Sequence, residues 1–301
     1  MAGEATHPAL GALAALASAL AWTLITLLAR ALSPHFSTFS LNIVRSAVGG
    51  VFLVAIALVA GNLGSLGHVS AGAWAFLISS VVLAVGVGDT AFFESARALG
   101  LARAMTFSTS YPLVASALAV WLFDERITLL DAAGTVVILA GLVLIVTERF
   151  SAGGAGRGEP GAGRRGLGLS LVTVLAWGSA ATLMKPLLHE IDPLTIQAAR
   201  LPLTALILWL TPWARGTART AWARREVVGL PVLGLGALTA VSSITFMVGL
   251  KHAGVTLGTV LSATSPLFAL PIGFLAFGER VTWRAVVGAV LCVAGLGLVS
   301  L

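Results

Sequence analysis

Two arginines sit inside long apolar stretches of this sequence, each three residues after a side-chain amide: Arg45 after Asn42, and Arg200 after Gln197. Helical positions three apart share a face, so each pair offers a guanidinium beside an amide. That combination suits a carboxylate, because the guanidinium fork donates two parallel hydrogen bonds. The rival reading has each arginine paired internally, bonded to backbone carbonyls or snorkelling to the interface. Arg45 lies about nine residues, ~13 Å, into its stretch and leaves both readings open, whereas Arg200, roughly six residues in, favours the rival.

Asp89 follows Gly86-Val87-Gly88, with Glu94 and Arg97 soon after. Carboxylates at membrane depth recur as proton carriers, which makes Asp89 and Glu94 the candidates for proton coupling. The alternative makes Asp89 the ionic partner of an arginine such as Arg45 and pairs Glu94 with Arg97. Trp22 and Trp177 stand mid-stretch, although tryptophan favours the membrane interface; they read as flat cavity walls or as packing. Ser108, Ser110, Tyr111, Thr264 and Ser265 place hydroxyls just before Pro112 and Pro266. Proline frees a carbonyl one turn earlier, which a membrane tolerates beside a cavity or a neighbouring helix. The candidate substrate-binding residues are therefore Trp22, Asn42, Arg45, Asp89, Ser110, Tyr111, Trp177, Gln197, Arg200, Thr264 and Ser265. No catalytic residue is expected.

The elements that must position these groups follow from composition. Of 301 residues, 58% are hydrophobic and 10% charged, with a mean hydropathy of +1.00; soluble domains carry about 25% charged residues. This excludes a soluble enzyme, a soluble nucleic-acid-binding domain and a disordered chain. Long unbroken apolar runs also exclude a transmembrane barrel, whose strands alternate polar with apolar residues. The net charge of +6 comes from arginines in the gaps between runs, as expected of residues flanking spans, so no nucleic-acid partner is implied. Cys292 is the only cysteine, and His7, His35, His68, His189 and His252 are scattered; no disulfide, metal or cofactor is expected.

Spans of ~20 residues are needed to cross a bilayer core. They are expected near 9–29, 37–60, 73–93, 101–122, 130–147, 167–187, 194–212, 228–249, 256–277 and 284–301. Ala17-Ser18-Ala19 resembles a cleavage site, but no basic residue precedes the first run and the run continues to Ala29, so it reads as a retained helix. Residues 148–166 form a Gly/Arg-rich linker between two units, 9–147 and 167–301. The units repeat each other. At an offset of 155, Ala21-Trp22 falls on Ala176-Trp177, Arg30 on Lys185, Asn42 on Gln197 and Arg45 on Arg200. At 154, Pro112-Leu113 falls on Pro266-Leu267, Glu125-Arg126 on Glu279-Arg280, Thr128 on Thr282, and Gly134 and Gly141 on Gly288 and Gly295. Tryptophan, proline and arginine are rare enough inside spans for their alignment to indicate duplication. Five spans per unit is an odd number, so the second copy enters the membrane upside down, the inverted arrangement of secondary transporters. The two Glu-Arg pairs are expected to brace the turn into the following helix, and the paired glycines to let helices approach closely.

With these motifs in order and doubled, the chain resembles the EamA family of the drug/metabolite transporter superfamily. The resemblance rests on Trp22/Trp177, Arg45/Arg200, Tyr111-Pro112/Ser265-Pro266, Asp124–Thr128/Gly278–Thr282 and the four glycines, over about 10–147 and 167–300. It implies an all-α integral membrane fold of ten transmembrane helices, with a central cavity built by helices 1–4 and 6–9. It also implies an inner-membrane, multi-pass carrier exporting amino acids or related metabolites. The partners expected are a small-molecule substrate, the lipid bilayer and protons, with the chain acting as a monomer or a homodimer. The charge distribution between loops puts both termini outside the cytoplasm, whereas the resemblance implies cytoplasmic termini. The rival functions are a membrane-embedded enzyme, for which no nucleophile–base or metal constellation is visible, and a channel.

Overall fold

The computed structural model describes residues 7–32, 34–99, 104, 107–151, 162–217, 225–277 and 282–299. Among these, regular structure is helical throughout. The helices are α1 (Pro8–Leu32), α2 (Thr38–Val59), α3 (Ala71–Val81), α4 (Thr90–Leu99), α5 (Tyr111–Phe123) and α6 (Leu129–Ser151) in the first half. The second half has α7 (Ala162–Thr182), α8 (Met184–Glu190), α9 (Pro193–Trp209), α10 (Arg225–Ser262), α11 (Ser265–Phe277) and α12 (Trp283–Val299). A π-helical stretch, Val82–Asp89, joins α3 to α4 without a break in the rod. Each of the ten expected segments coincides with helix over most of its described length. Five stretches are long and apolar enough to cross a membrane: Pro8–Ala29, Phe39–Val59, Ala71–Phe92, Arg164–Glu190 and Gly229–Ser262. Large apolar side chains such as Val59, Trp121, Leu275 and Trp283 stand exposed on the outside, where lipid rather than water solvates them.

Polar residues at helix starts fix where the rods begin. Ser37 accepts from Ser40 N–H and Ser70 from Ala73 N–H, while Asp192 accepts from Leu194 and Thr195 N–H at 3.0 Å each. Thr128 and Asp131 cap α6 reciprocally, satisfying two N–H groups that a helix end leaves open. The linker's residues 152–161 and the Gly278-Glu279-Arg280 turn lie outside the described residues; α7 already begins at Ala162, inside the expected linker.

Helix pairing reveals the relation between the halves. Gly141 of α6 faces Gly288 of α12, while Gly134, seven residues earlier, faces Gly295, seven residues later. The two fifth helices therefore run antiparallel, and because their glycines are repeat equivalents, one half is inverted relative to the other. A Cβ on Gly295 would stand 2.7 Å from the Gly134 carbonyl oxygen, and one on Gly288 would stand 2.6 Å from that of Gly141. Only glycine lets the backbones meet here. The second helices pair the same way, with Gly50 of α2 against Pro202 of α9 and Asn62 near Asp192. Even single hydrogen bonds are duplicated. Ser18 Oγ donates to Ser242 O at 3.0 Å, and the equivalent Thr173 Oγ1 donates to Gly88 O at 3.4 Å.

The fourth segment of each half is broken just before its proline. Turns at Thr109-Ser110 and Ala263-Thr264 separate the pieces. Ser110 Oγ donates to Phe107 O and Thr264 Oγ1 to Leu261 O, both at 2.6 Å, carbonyls that also accept the backbone N–H of the same residue at 3.1 Å, so the hydroxyls reinforce the turns. A second break divides α10 at Gly254, whose φ of 82° and ψ of 171° suit only glycine comfortably.

Glu125 crosses between the halves at this break, which differs from the expected brace on its own turn; Thr128 and Asp131 do that work. Lying between α5 and α6, outside the spanning helices, its carboxylate accepts from Val255 N–H (3.2 Å), Thr256 N–H (2.9 Å) and Lys185 Nζ (2.7 Å). Burial alone would raise this carboxyl's pKa. The Lys185 hydrogen bond, the two backbone N–H groups and the Lys185 charge together outweigh it and hold the group below its ordinary value. A depressed folded-state pKa contributes stability that is complete above the unfolded pKa and is lost as pH falls through the folded one. Thermal unfolding in detergent is therefore expected to show the native chain more stable than Glu125→Gln at neutral pH. That difference should begin to shrink below about pH 4, near the usual glutamate value, and disappear only further into acid, once pH has fallen through the lower folded-state pKa. A gap that persists unchanged into acid would assign the effect to packing instead.

Candidate functional site

Arg45 and Arg200 each stand seven residues past the first residue of α2 and α9. Because those helices are antiparallel, the two guanidiniums approach the middle of the molecule from opposite ends. Asn42 receives a 2.7 Å hydrogen bond from Arg45 Nε at Oδ1, as the three-residue spacing predicts. The Arg45 guanidinium also lies 5.1 Å from the centre of the Trp22 ring, within cation–π range. Trp22 remains 40% exposed despite its mid-helix position. Arg200 is held differently: its Nε donates to Ser80 Oγ of α3 at a long 3.4 Å.

The π-helical stretch delivers the acid. Beside the π-helix Val82–Asp89, Trp177 Nε1 donates both to the Ala84 carbonyl (3.1 Å) and to Asp89 Oδ1 (3.0 Å). Gly88 makes room, since a Cβ there would collide with the Trp177 indole, 2.6 Å from Nε1. Phe92 packs obliquely on Trp177 at 5.4 Å, and Tyr111 meets it edge-on at 6.2 Å. Asp89 interacts electrostatically with both Arg45 and Arg200. It nonetheless forms an ion pair within 4.0 Å with neither; among the described residues, Lys185 pairs with Glu125 and Arg165 with Glu94. Asp89 is thus an electrostatic partner of Arg45, as the alternative had it, without a contact within 4.0 Å.

The structure accordingly brings Trp22, Asn42, Arg45, Asp89, Tyr111, Trp177 and Arg200 into one region. It places the others elsewhere. Gln197 is fully buried and donates from Nε2 to Ser243 O at 3.3 Å, leaving its Oε1 without a partner; it does not support Arg200 as Asn42 supports Arg45. Ser110 and Thr264 serve their local breaks. Ser265 contributes its backbone carbonyl, which accepts from Thr23 Oγ1 at 2.8 Å. Glu94 faces the outside, 3.7 Å from Arg165. Ser80, Phe92 and Gly88 were not singled out in the sequence, although the Gly86-Val87-Gly88-Asp89 run carried a trace of the close approach. An apolar groove of about 580 Å³, lined by Leu270, Pro271, Phe274, Val286, Val290 and Val293, lies on α11 and α12 away from every charged group of the site; its chemistry is that of a lipid contact. Among the described residues, no three His, Cys, Asp or Glu side chains converge as metal ligands.

What these groups can do together is hold a small polar headgroup. They offer donor-rich cations from two inverted helices, one carboxylate on a third rod, and aromatic faces beside them. Comparison with known proteins bears on the family and the fold. A family model described as the EamA-like transporter family matches residues 9–147 and again 164–301. A crystal structure of a protein superposes with a TM-score of 0.76, covering 96% of this chain and 94% of that one at 19% identity, a likeness of fold alone. No curated protein sequence matches.

Proposed function

This chain belongs to the EamA-like transporter family, and from that premise we propose that it exports small metabolites, amino acids among them, by alternating access. The family makes it a multi-pass membrane transporter of small molecules. Our reading adds ten crossings, the inner membrane, the outward direction and a central site between inverted halves. One observation carries the reading: charged side chains from both halves, Arg45 and Asp89 from one and Arg200 from the other, converge without neutralising each other by contact. Ionisable groups at membrane depth are costly and mark substrate or ion pathways. Antiparallel repeat equivalents supply the second requirement, a pair of near-equivalent halves that can exchange roles about the site.

In this reading the cargo's headgroup meets Arg45, Arg200 and Asp89 while its apolar part lies against Trp22, Trp177 and Tyr111. Asp89 is the residue proposed to carry a coupling proton. Reconstituted protein should show saturable uptake of labelled amino acids and acceleration of that uptake by unlabelled substrate on the far side. A channel shows neither saturation nor such counterflow, so linear flux without trans-stimulation would remove the carrier reading.

A further inference from the structure

The charges of the site do not sum to zero. Two guanidiniums, Arg45 and Arg200, interact with one carboxylate, Asp89, and no other described side chain enters this electrostatic group. The site therefore holds an excess of one positive charge with Asp89 ionised, and of two with Asp89 protonated. The sign is the same either way. Both arginines spend Nε on the protein, Arg45 on Asn42 and Arg200 on Ser80. Their terminal Nη pairs have no hydrogen-bond partner among the described residues, and a pair of parallel N–H donors is the edge that takes a carboxylate two-fold. Asp89, by contrast, is already engaged by Trp177 and lies within the field of both cations.

Resting on the carrier reading above, we propose that the cargo is a monovalent organic anion, an apolar carboxylate without a compensating ammonium, and that its transport moves charge. A carboxylate placed between the Nη forks brings the site to neutrality. An amino-acid zwitterion leaves the positive excess in place, and its ammonium must stand beside two cations opposed by one acid. Burying an uncompensated charge away from water is the costlier state. The aromatic faces of Trp22, Trp177 and Tyr111 supply the apolar complement. With Asp89 ionised throughout the cycle, the loaded site is neutral and the empty site carries one positive charge, so a membrane potential drives net movement of the anion, one charge at a time, toward the positive side. At about 2.3 kcal/mol per charge per 100 mV, this amounts to roughly fifty-fold accumulation.

The test uses the full chain in liposomes with the potential set by a potassium gradient and valinomycin, protein-free liposomes being subtracted. Matched triplets share one apolar group: 4-methyl-2-oxopentanoate, leucine and isoamylamine; phenylpyruvate, phenylalanine and phenethylamine. Expected is the order anion, then zwitterion, then amine, in both counterflow and thermal stabilisation, with anion accumulation rising toward fifty-fold per 100 mV. Asp89→Asn should keep that order, and Arg45→Lys should keep it with weaker binding. Arg45→Gln or Arg200→Gln should abolish the preference for the anion. An amino acid that equals or outranks its keto acid, with counterflow intact, overturns the anion proposal and leaves the carrier standing. The same holds for anion flux indifferent to potential. Folded protein giving no counterflow with any probe overturns the carrier reading and this proposal with it.

Discussion

Arg45→Gln is expected to reduce transport by ~100- to 20,000-fold while leaving the thermal unfolding temperature in detergent unchanged or slightly raised. The loss is that of two charge-assisted hydrogen bonds to a carboxylate, each contributing about 1.5–3 kcal/mol, and every 1.4 kcal/mol is tenfold in affinity. The stability result separates a ligand-binding arginine from a structural one. Removing one partner of a tight buried ion pair destabilises by about 3–5 kcal/mol, but Arg45 has no carboxylate in contact and shares its region with a second cation, Arg200. Glutamine can still bond Asn42, and only the Trp22 ring contact, worth about 1 kcal/mol, disappears. A large drop in unfolding temperature accompanied by normal transport would make Arg45 a structural brace and remove it from the site.

Gly141→Val should have the largest effect on folding. The first side-chain carbon would meet the Gly288 carbonyl, and the Cys292 sulfur and backbone nitrogen would crowd it at 2.7 and 2.9 Å. Overpacking a core usually costs about 1–3 kcal/mol because side chains can turn aside; backbone cannot. The α6–α12 seam must therefore open along its length, with an expected loss above ~3 kcal/mol and little monodisperse protein after solubilisation. Gly168→Ala is the matched control, since a Cβ there meets nothing within 4 Å. Fluorescence-detected size exclusion on the two variants reads the contrast directly. A Gly141→Val protein that elutes and melts like the native chain would mean that the glycine seam does not hold the halves together.

Much of this architecture was readable in the residues, and the exceptions share a cause. Tryptophan, arginine and proline in matching register exposed the duplication, and an odd number of spans per copy implied inversion before any helix was placed. The Asn42–Arg45 contact followed from helical spacing. Gln197 and Arg200 have the same spacing but do not meet, because the Gln197 amide reaches Ser243 on another helix. Spacing fixes a face, not a rotamer. The π-helical stretch was invisible because its residues are as apolar as the helices on either side, and hydropathy does not register one extra residue per turn. The sequence places Glu125 on its own turn because its true partners lie in the other half, Lys185 60 residues away and Thr256 131 residues away. A one-dimensional reading has no means of finding them. The break at Gly254 was equally hidden, a single glycine among several.

Ser18 resting on Ser242 and Thr173 resting on Gly88 are one pin cast twice, once from each half. A seesaw with identical pins has no inherent preference for either end, so any lean it shows must come from weights placed on one arm only. Asp89, whose counterpart is Ser243, is such a weight. In the proposed alternating-access cycle, directionality is thus a matter of a few unmatched side chains superimposed on a balanced frame.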